Sequence, residues 1–355
     1  MVQVSETDHS TDARLGQVRP QLAINSEILD RYLADHLPSY EGPLSIKQYA
    51  GGQSNPTYAL TTPSKRYVLR KKPPGKLLKS AHAVDREYRL LRALEPLGIP
   101  VPKGLLYCDD QDVIGTPFYV MEHLEGRIFR DPRLPGQTPE QRTEIYAEMT
   151  NVLARLHSVD FHAAGLGDFG RVGGYISRQI QLWSKQYRDT GISDISSMEF
   201  LMDWLVENTP EARETTIAHG DYRLENLVFH RTELKIIGIL DWELATLGDP
   251  LADLAYNSLV YRLSLPMQPG FEDHPPEGIP SEQDAVKRYT QMTGREVSPA
   301  IWQFYLAFSL FRLAAISAGI YTRGKTGSAS SDTALEFLTH TRTIADCGAQ
   351  AAKGN

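Results

Sequence analysis

Cysteine is scarce in this sequence. Two cysteines, Cys108 and Cys347, occur among 355 residues, and they lie far apart without metal-ligand spacing. This arrangement argues against a disulfide framework. The scarcity is typical of a reducing compartment, so we expect a cytoplasmic protein.

Long apolar runs are also missing. No run approaches ~18 uninterrupted apolar residues, so no transmembrane helix is expected. The first residues, MVQVSETDHSTDARLGQ, are polar and lack the apolar core of a secretory signal. We therefore predict that residues 1–24 form a flexible leader.

The sequence also lacks an excess of basic residues. The formal net charge is −7, which disfavours nucleic acid or an anionic membrane as the main partner. The chain is 41% hydrophobic and 23% charged, as in an ordinary globular protein. Its length allows one large domain or two lobes with a well-filled core.

The most informative stretch is residues 217–241, IAHGDYRLENLVFHRTELKIIGILD. Two short apolar runs, residues 227–229 and 236–240, are joined by a polar turn, which predicts a β-hairpin. A hairpin brings its two ends together. We therefore expect Asn226 and Asp241 to lie side by side.

Phosphoryl transfer needs such a cluster of oxygen-bearing side chains. Asp221 fits the carboxylate that orients an acceptor hydroxyl and takes its proton, while Asn226 and Asp241 fit the ligands of Mg²⁺. Protein kinases carry H-R-D-x-x-x-x-N and then D-F-G. Here the corresponding patterns are H-G-D-x-x-x-x-N and D-W-E. The alternative is an ordinary hairpin with Asp and Asn at its turns.

With these motifs, residues 46–330 resemble the aminoglycoside phosphotransferase family of small-molecule kinases. The resemblance is strongest to the branch that also occurs fused to acyl-CoA dehydrogenases. It implies an α+β, protein-kinase-like fold of two lobes that uses ATP and Mg²⁺, with ATP in a cleft. The implied organisation is a β-rich N-lobe at 25–122, a hinge at 123–126, a mainly helical C-lobe at 127–345 that carries the hairpin, and a tail at 346–355.

A glycine-rich turn at residues 51–56 lies between two predicted strands. Glycines let backbone N–H groups approach a phosphate closely, and Ser54 adds a hydroxyl donor. The turn departs from G-x-G-x-x-G, and a plain hairpin turn with two glycines is the alternative.

A helix predicted at residues 80–94 places Glu87 on its apolar face. A carboxylate pointing at a core needs a cation. The resemblance implies that this cation is Arg70, on the preceding strand, where it also holds ATP phosphates. Lys71 is the alternative because adjacent strand residues face opposite ways. The resemblance further implies that the backbone of Glu122 and Leu124 binds adenine.

Seven residues separate Asp241 from Asp249, too few for the activation segment with which protein kinases seat a peptide. A small-molecule acceptor is therefore favoured over a protein. The resemblance to the branch fused to acyl-CoA dehydrogenases suggests that the acceptor is a hydroxyacyl-CoA. An aminoglycoside, choline and homoserine remain alternative acceptors. A nucleotide-binding module without catalysis is the other class of function, and the oligomeric state stays open.

Residues 319–326 satisfy the P-loop pattern G-x-x-x-x-G-K-[ST]. A P-loop must follow a buried strand and open a helix. Here a long apolar segment of helical length precedes the pattern, so we predict that it is not a P-loop. Contact of this loop with an anionic substrate is left open.

Overall fold

The computed structural model describes residues 9–50, 55–73, 83–211, 214–266, 269–325 and 334–354. The chain divides into two compact units. The first unit comprises Met1–Arg130, Ala163–Leu166 and Leu224–Ala245. The second comprises Asp131–His162, Gly167–Arg223 and Thr246–Asn355.

The first unit is built on an antiparallel sheet of strand order β1-β2-β3-β4-β6-β5. Its strands are β1 (Leu15–Gly16), β2 (Ser45–Tyr49), β3 (Thr57–Thr61), β4 (Arg66–Lys71), β5 (Gly104–Cys108) and β6 (Phe118–Glu122). The central strand β4 reads RYVLRK, and all of it after Arg66 is buried. Such a strand must find partners for polar side chains on both of its faces.

Three helices complete this part of the first unit: α1 (Ser26–His36), α2 (Val84–Leu94) and α3 (Gln111–Ile114). The side chain of Asn25 caps α1 by accepting hydrogen bonds from two backbone N–H groups. Leu29 and Leu33 of α1 share a core cluster with Leu69 of β4. Side chains alternate along a strand, so Arg70 points away from this cluster.

The predicted hairpin is present as β9 (Leu227–His230) and β10 (Ile236–Ile239), which pair antiparallel. Strand β9 also pairs with β7 (Gly126–Arg127), and the backbone N–H of Ile239 donates to the carbonyl of Pro100. These hydrogen bonds tie the hairpin to the first unit. The sequence-based division is therefore corrected here, because it assigned the hairpin to the C-lobe.

The second unit is mainly helical. Its helices are α4 (Pro139–His157), α5 (Tyr175–Asp189), α6 (Ser196–Glu207), α7 (Pro250–Asn257), α8 (Glu282–Thr293), α9 (Pro299–Lys325) and α10 (Ala334–Ala352). Two short strands, β8 (Thr216–Ala218) and β11 (Thr246–Gly248), pair antiparallel. A capping box between Thr138 and Gln141 starts α4.

Helix α9 is the centre of the second unit and packs against α5, α6, α7 and α10. By length and composition alone it is the one described helix that could cross a membrane, but 72% of its most apolar stretch is buried inside the protein. The core helix of a soluble protein meets the same criterion. The helix also contains Gly319–Lys325, so this part of the P-loop pattern lies within a helix rather than a phosphate-binding loop.

The two ends of the chain differ from the sequence-based expectation. Residues 9–24 were expected to be part of a flexible leader, yet β1 pairs with β2 and Asp12 forms a 2.7 Å ion pair with Arg66. Helix α10 was expected to end at residue 345, yet it continues to Ala352, whose carbonyl accepts from the Gln303 side chain. Pairing with distant partners, which local composition does not reveal, explains both differences.

Candidate functional site

A cavity of about 310 Å³ lies within the first unit. Arg70, Glu122, Leu124, Asn226 and Asp241 all line it. These residues are scattered over the sequence, and the sheet and the hairpin bring them to one place. Five of the eight predicted site residues thus share a cavity of the size that binds small ligands.

Arg70 and Glu87 form a buried pair below this cavity. Nε of Arg70 lies 3.3 Å from Oε2 of Glu87, and the two residues are only 8% and 2% exposed. The structure therefore pairs Glu87 with Arg70. Lys71 lies on the opposite face of β4, where its ammonium group contacts the carbonyl of Leu22 and the ring of Tyr58.

Two further side chains hold the Glu87 carboxylate. The amide of Asn55 donates to Oε1 at 2.7 Å, and the hydroxyl of Tyr119 donates to Oε2 at 2.8 Å. Burial and the charge of Glu87 raise the pKa of Tyr119 well above its usual value, so Tyr119 remains a donor. Sequence analysis missed both residues. Asn55 lies within the glycine-rich turn at residues 51–56, which gave only a weak signal, whereas Tyr119 looked like an ordinary strand residue.

Arg70 also reaches the hairpin. Its Nη2 lies 3.1 Å from Oδ1 of Asp241 and 3.8 Å from Oε2 of Glu243. Burial alone would lower the pKa of Arg70, but the surrounding acidic groups, Glu87 foremost, raise it above its usual value. The Arg70 guanidinium group therefore stays protonated at this end of the cavity, where the acidic side chains of Glu87, Asp241 and Glu243 surround it.

Asp241 has an unusual backbone conformation. Its φ is +64°, in the left-handed region that residues other than glycine seldom adopt. The N–H of the preceding Leu240 donates to the carbonyl of Asn226 at 2.8 Å, which closes the open end of the hairpin. Asn226 and Asp241 are thus brought together as the hairpin predicts. Strain held at such a position is commonly found at functional sites.

The donors at this end of the cavity fit a magnesium ion. Among the described residues no group of three or more His, Cys, Asp or Glu side chains forms a metal cluster. Asn226 and Asp241, with Glu225 and Glu243 also lining the cavity, instead offer amide and carboxylate oxygens. Mg²⁺ is commonly held by one or two such protein oxygens together with substrate phosphates.

The other end of the cavity is formed by the end of β6 and the segment after it. The N–H of Glu122 donates to the carbonyl of Lys103, while its carboxylate accepts from the N–H of Lys103. The Leu124 side chain packs directly over Gly238, where an added Cβ would lie 2.1 Å from its terminal methyl carbon and would force it to move. Adenine binding by the backbone of Glu122 and Leu124 stays a prediction. Ser54 lies outside the described residues.

Asp221 belongs to the second unit, three residues before the first unit resumes at Leu224. Its carboxylate accepts a hydrogen bond from the Tyr256 hydroxyl and lies 3.7 Å from Nε of Arg223. Burial and the charge of Asp221 raise the pKa of Tyr256 to about 12, so the hydroxyl remains protonated. Asp221 is thus a part-exposed carboxylate in a hydrogen-bonded setting, and its catalytic role stays a prediction.

Hydrogen bonds to Asp253 hold the turn that carries Asp221. The carboxylate of Asp253 accepts from the N–H groups of His219 at 2.5 Å and Gly220 at 2.8 Å. It also lies 3.4 Å from Nε2 of the buried His157. Burial opposes ionisation of Asp253, but His157 and the backbone donors hold its pKa below the usual value. His157 thus packs inside the fold, and Asp253 has a structural role.

Comparison with known proteins gives the family. The model of the phosphotransferase enzyme family (APH) matches residues 45–271. Acyl-CoA dehydrogenase family member 10 of Mus musculus is 46% identical over 336 residues, which are 93% of this chain and 31% of that protein. The chain spans less than half the length of this protein and of two further curated relatives, acyl-CoA dehydrogenase family member 11 of Pongo abelii and of Homo sapiens.

Solved structures agree. A candidate aminoglycoside phosphotransferase from Ralstonia eutropha JMP134 is 43% identical, with a TM-score of 0.84 over 93% of this chain and 99% of that one. Spectinomycin phosphotransferase APH(9)-Ia, solved with ADP and spectinomycin, is 13% identical, with a TM-score of 0.61 over 95% of this chain and 100% of that one, and shows the fold alone. The expected α+β, kinase-like fold and the link to the acyl-CoA dehydrogenase branch are confirmed. By the motif, the geometry and these matches, the chain belongs to the phosphotransferase enzyme family.

Proposed function

We propose that this protein is an ATP-dependent phosphotransferase that transfers the γ-phosphate to a hydroxyl group of a small metabolite. The observation that carries the proposal is the bridge made by Arg70, which contacts Glu87 on one side and Asp241 on the other. A buried cation shared by two acidic groups at the end of a ligand-sized cavity is suited to phosphate binding. The hydrogen-bonded Asp221 supplies the carboxylate that the chemistry also needs.

Each residue has one role in the proposal. Asp221 orients the acceptor hydroxyl and takes its proton, and Arg70 binds phosphate oxygens while Glu87 orients it. Asn226 and Asp241 would hold Mg²⁺, which supplies charge neutralisation on the phosphates when bound. The backbone of Glu122 and Leu124 binds adenine, and Ser54 adds a donor to the phosphates. Catalysis then rests on positioning and electrostatics.

ATP is the proposed phosphate donor because of both geometry and family. The ADP bound by the related spectinomycin phosphotransferase supports an adenine nucleotide. The donor atoms of Asn226 and Asp241 support a hard divalent cation. We also propose a cytoplasmic location, on the scarcity of cysteine in the sequence.

For the acceptor we propose a hydroxyacyl-CoA. The support is the 46% identity to a protein named for acyl-CoA dehydrogenase, an enzyme class whose substrates are acyl-CoA thioesters. That relative is about three times as long as the matched region, so its name reports on more than this part. The acceptor therefore needs a direct experiment.

The test is ATP consumption measured with a panel of acceptors: hydroxyacyl-CoA thioesters of different chain length and hydroxyl position, aminoglycosides, choline and homoserine. The free hydroxy acids serve as matched controls for the CoA group. We expect turnover with a hydroxyacyl-CoA and a phosphorylated product by mass spectrometry. Turnover of another acceptor class alone would overturn the proposed substrate. ATP binding in calorimetry without turnover of any acceptor would favour a nucleotide-binding module.

A further inference from the structure

An arginine lies in the middle of α9, the most apolar of the described helices. Arg312 belongs to α9 and is 5% exposed. Burial of a charged side chain is costly unless its partners compensate. Within the described ranges, Nε of Arg312 has no hydrogen-bond partner, so the compensation is incomplete. An arginine buried at that cost points to a role other than packing.

The contacts of Arg312 lead to the turn that carries Asp221. Its Nη2 donates a 2.7 Å hydrogen bond to the carbonyl oxygen of Gly220. Its guanidinium group also lies over the ring of Tyr256 at 5.1 Å and that of Trp183 at 5.8 Å. These two cation–π contacts hold the guanidinium group between the rings and stabilise the position from which it donates to Gly220.

The peptide unit between Gly220 and Asp221 is therefore held at both of its polar atoms. Arg312 binds its oxygen, and Nδ1 of His219 accepts from its N–H at 3.2 Å. Hydrogen bonds at both atoms restrain the rotation of this peptide plane, and the plane sets the direction of the N–Cα bond of Asp221, from whose Cα the side chain branches. Tyr256, which lies against Arg312, also donates to the Asp221 carboxylate. Arg312 thus acts on Asp221 by two routes.

We propose that Arg312 is a positioning residue for Asp221: it fixes the Gly220–Asp221 peptide and, through Tyr256, the carboxylate. This inference rests on the proposed phosphotransferase function, in which Asp221 faces the acceptor hydroxyl. Arg312 itself contacts neither substrate. Its effect is on the geometry of proton transfer and therefore on kcat rather than on ATP binding.

The first measurement is steady-state kinetics of two variants. Arg312→Met keeps the length and apolar bulk of the side chain but removes the hydrogen bond and the charge. We expect kcat to fall about 100-fold, the loss typical of a reacting group displaced by about 1 Å, while KM for ATP stays unchanged. Arg312→Lys keeps a charged donor and should recover a large part of kcat. Unchanged kcat in Arg312→Met would overturn the proposal.

A matched control separates positioning from general damage to α9. Ser317 lies in the same helix, is also buried, and hydrogen-bonds to the carbonyl of Phe337 instead of the turn. Ser317→Ala should therefore leave kcat unchanged, and the Tm of Arg312→Met should fall no further than that of Ser317→Ala. A shared fall in kcat and Tm for both variants would reduce Arg312 to a structural residue.

The second measurement does not depend on enzymatic activity. Hydrogen exchange of the amides of His219, Gly220 and Asp221 reports directly on the turn. We expect about 10-fold faster exchange in Arg312→Met, with Arg312→Lys between this variant and the unaltered protein, and no change in Ser317→Ala. Unchanged exchange in Arg312→Met would refute the positioning role. If the unaltered protein transfers phosphate to no acceptor, the proposed function is wrong. Hydrogen exchange of these three amides would still show whether Arg312 positions the turn.

Discussion

In the first unit, one buried cation holds the acidic side chains: Arg70 contacts Glu87 and Asp241 directly through its guanidinium group. In the second unit, the turn that carries Asp221 is held through its backbone: Asp253 accepts from the N–H groups of His219 and Gly220, and Arg312 donates to the carbonyl of Gly220. The first arrangement depends on charge pairing. The second depends on hydrogen bonds to the backbone of a turn, and the contacts of the Asp221 carboxylate include a tyrosine hydroxyl and a nearby arginine.

The difference suits the two kinds of chemistry. A phosphate-binding group must stay charged and stationary, and acidic partners keep Arg70 in that state. A group that exchanges a proton must instead be well directed without a strong ion pair, because a tightly bound cation would lower its basicity. We therefore expect substitutions in the first unit to change stability and nucleotide binding, and those in the second to change turnover.

Of the substitutions that test this difference between the units, Asp221→Asn should have the largest effect, and that effect should be on turnover. We expect kcat to fall about 10²–10⁴-fold, the range for removal of a general base, with ATP binding in calorimetry nearly unchanged. Asp203→Asn, on an exposed position of α6, is the control. Wild-type kcat in Asp221→Asn would show that this carboxylate does not carry the reaction.

Glu87→Ala tests the charge-paired side. It leaves the buried Arg70 without its main partner, so we expect the free energy of unfolding to fall by about 3–5 kcal/mol and ATP affinity to fall as well. Denaturant unfolding measures the first effect and calorimetry the second. Asp85→Ala, at an exposed position of the same helix, should change neither. A Glu87→Ala protein as stable as Asp85→Ala would contradict the pairing.

Asp253→Asn tests the second unit, because it weakens the hydrogen bonds that Asp253 accepts from the N–H groups of His219 and Gly220. At pH 7 we expect a loss of about 1–3 kcal/mol of stability, together with a lower kcat. The pKa of Asp253 is lowered in the folded protein, so its contribution is present above the ordinary pKa near 4 and is lost as pH falls through the lowered value. The Tm difference between the two proteins should therefore shrink as the pH is lowered below about 4. A difference that grows on acidification would contradict this assignment.

Gly238→Ala should give the smallest effect, confined to nucleotide binding. The added Cβ would collide with the Leu124 side chain, which must then move. We expect KM for ATP to rise a few-fold, in keeping with about 1 kcal/mol of overpacking, and kcat to stay unchanged. The double variant Gly238→Ala/Leu124→Ala removes the collision and should restore KM. A changed kcat with unchanged KM would count against the location of adenine.

The sequence predicted those features that depend on neighbouring residues. The two apolar runs at residues 227–229 and 236–240 indicated a hairpin, and a hairpin by its geometry joins Asn226 to Asp241. The capping box at the start of α4 is formed by residues that lie close together in the sequence, Thr138 and Gln141. The start of α7 is likewise capped locally, because Asp249 accepts from the N–H of Leu251. Each of these needs only a few residues of context.

Other features depend on contacts between distant segments. From the sequence, Arg70 and Lys71 were both candidates for the partner of Glu87, because the choice depends on which face of β4 meets α2. Asn55 and Tyr119 were missed because their role is to donate hydrogen bonds to the Glu87 carboxylate, which is distant from both in the sequence. The left-handed backbone of Asp241 has no sequence signal, because aspartate adopts many conformations. The motif identified the charged residues of the site, but their contact partners are determined by the tertiary structure.

The division of the chain has a consequence for its modularity. The backbone leaves the first unit after Arg130, returns at Ala163–Leu166 and again at Leu224–Ala245, so no single peptide-bond cleavage separates the two units. Asp221 falls in one and Asp241 in the other, and neither fragment could be inherited or expressed alone with the full H-G-D-to-D-W-E constellation. Recombination and split-protein engineering must therefore treat the chain as one indivisible piece.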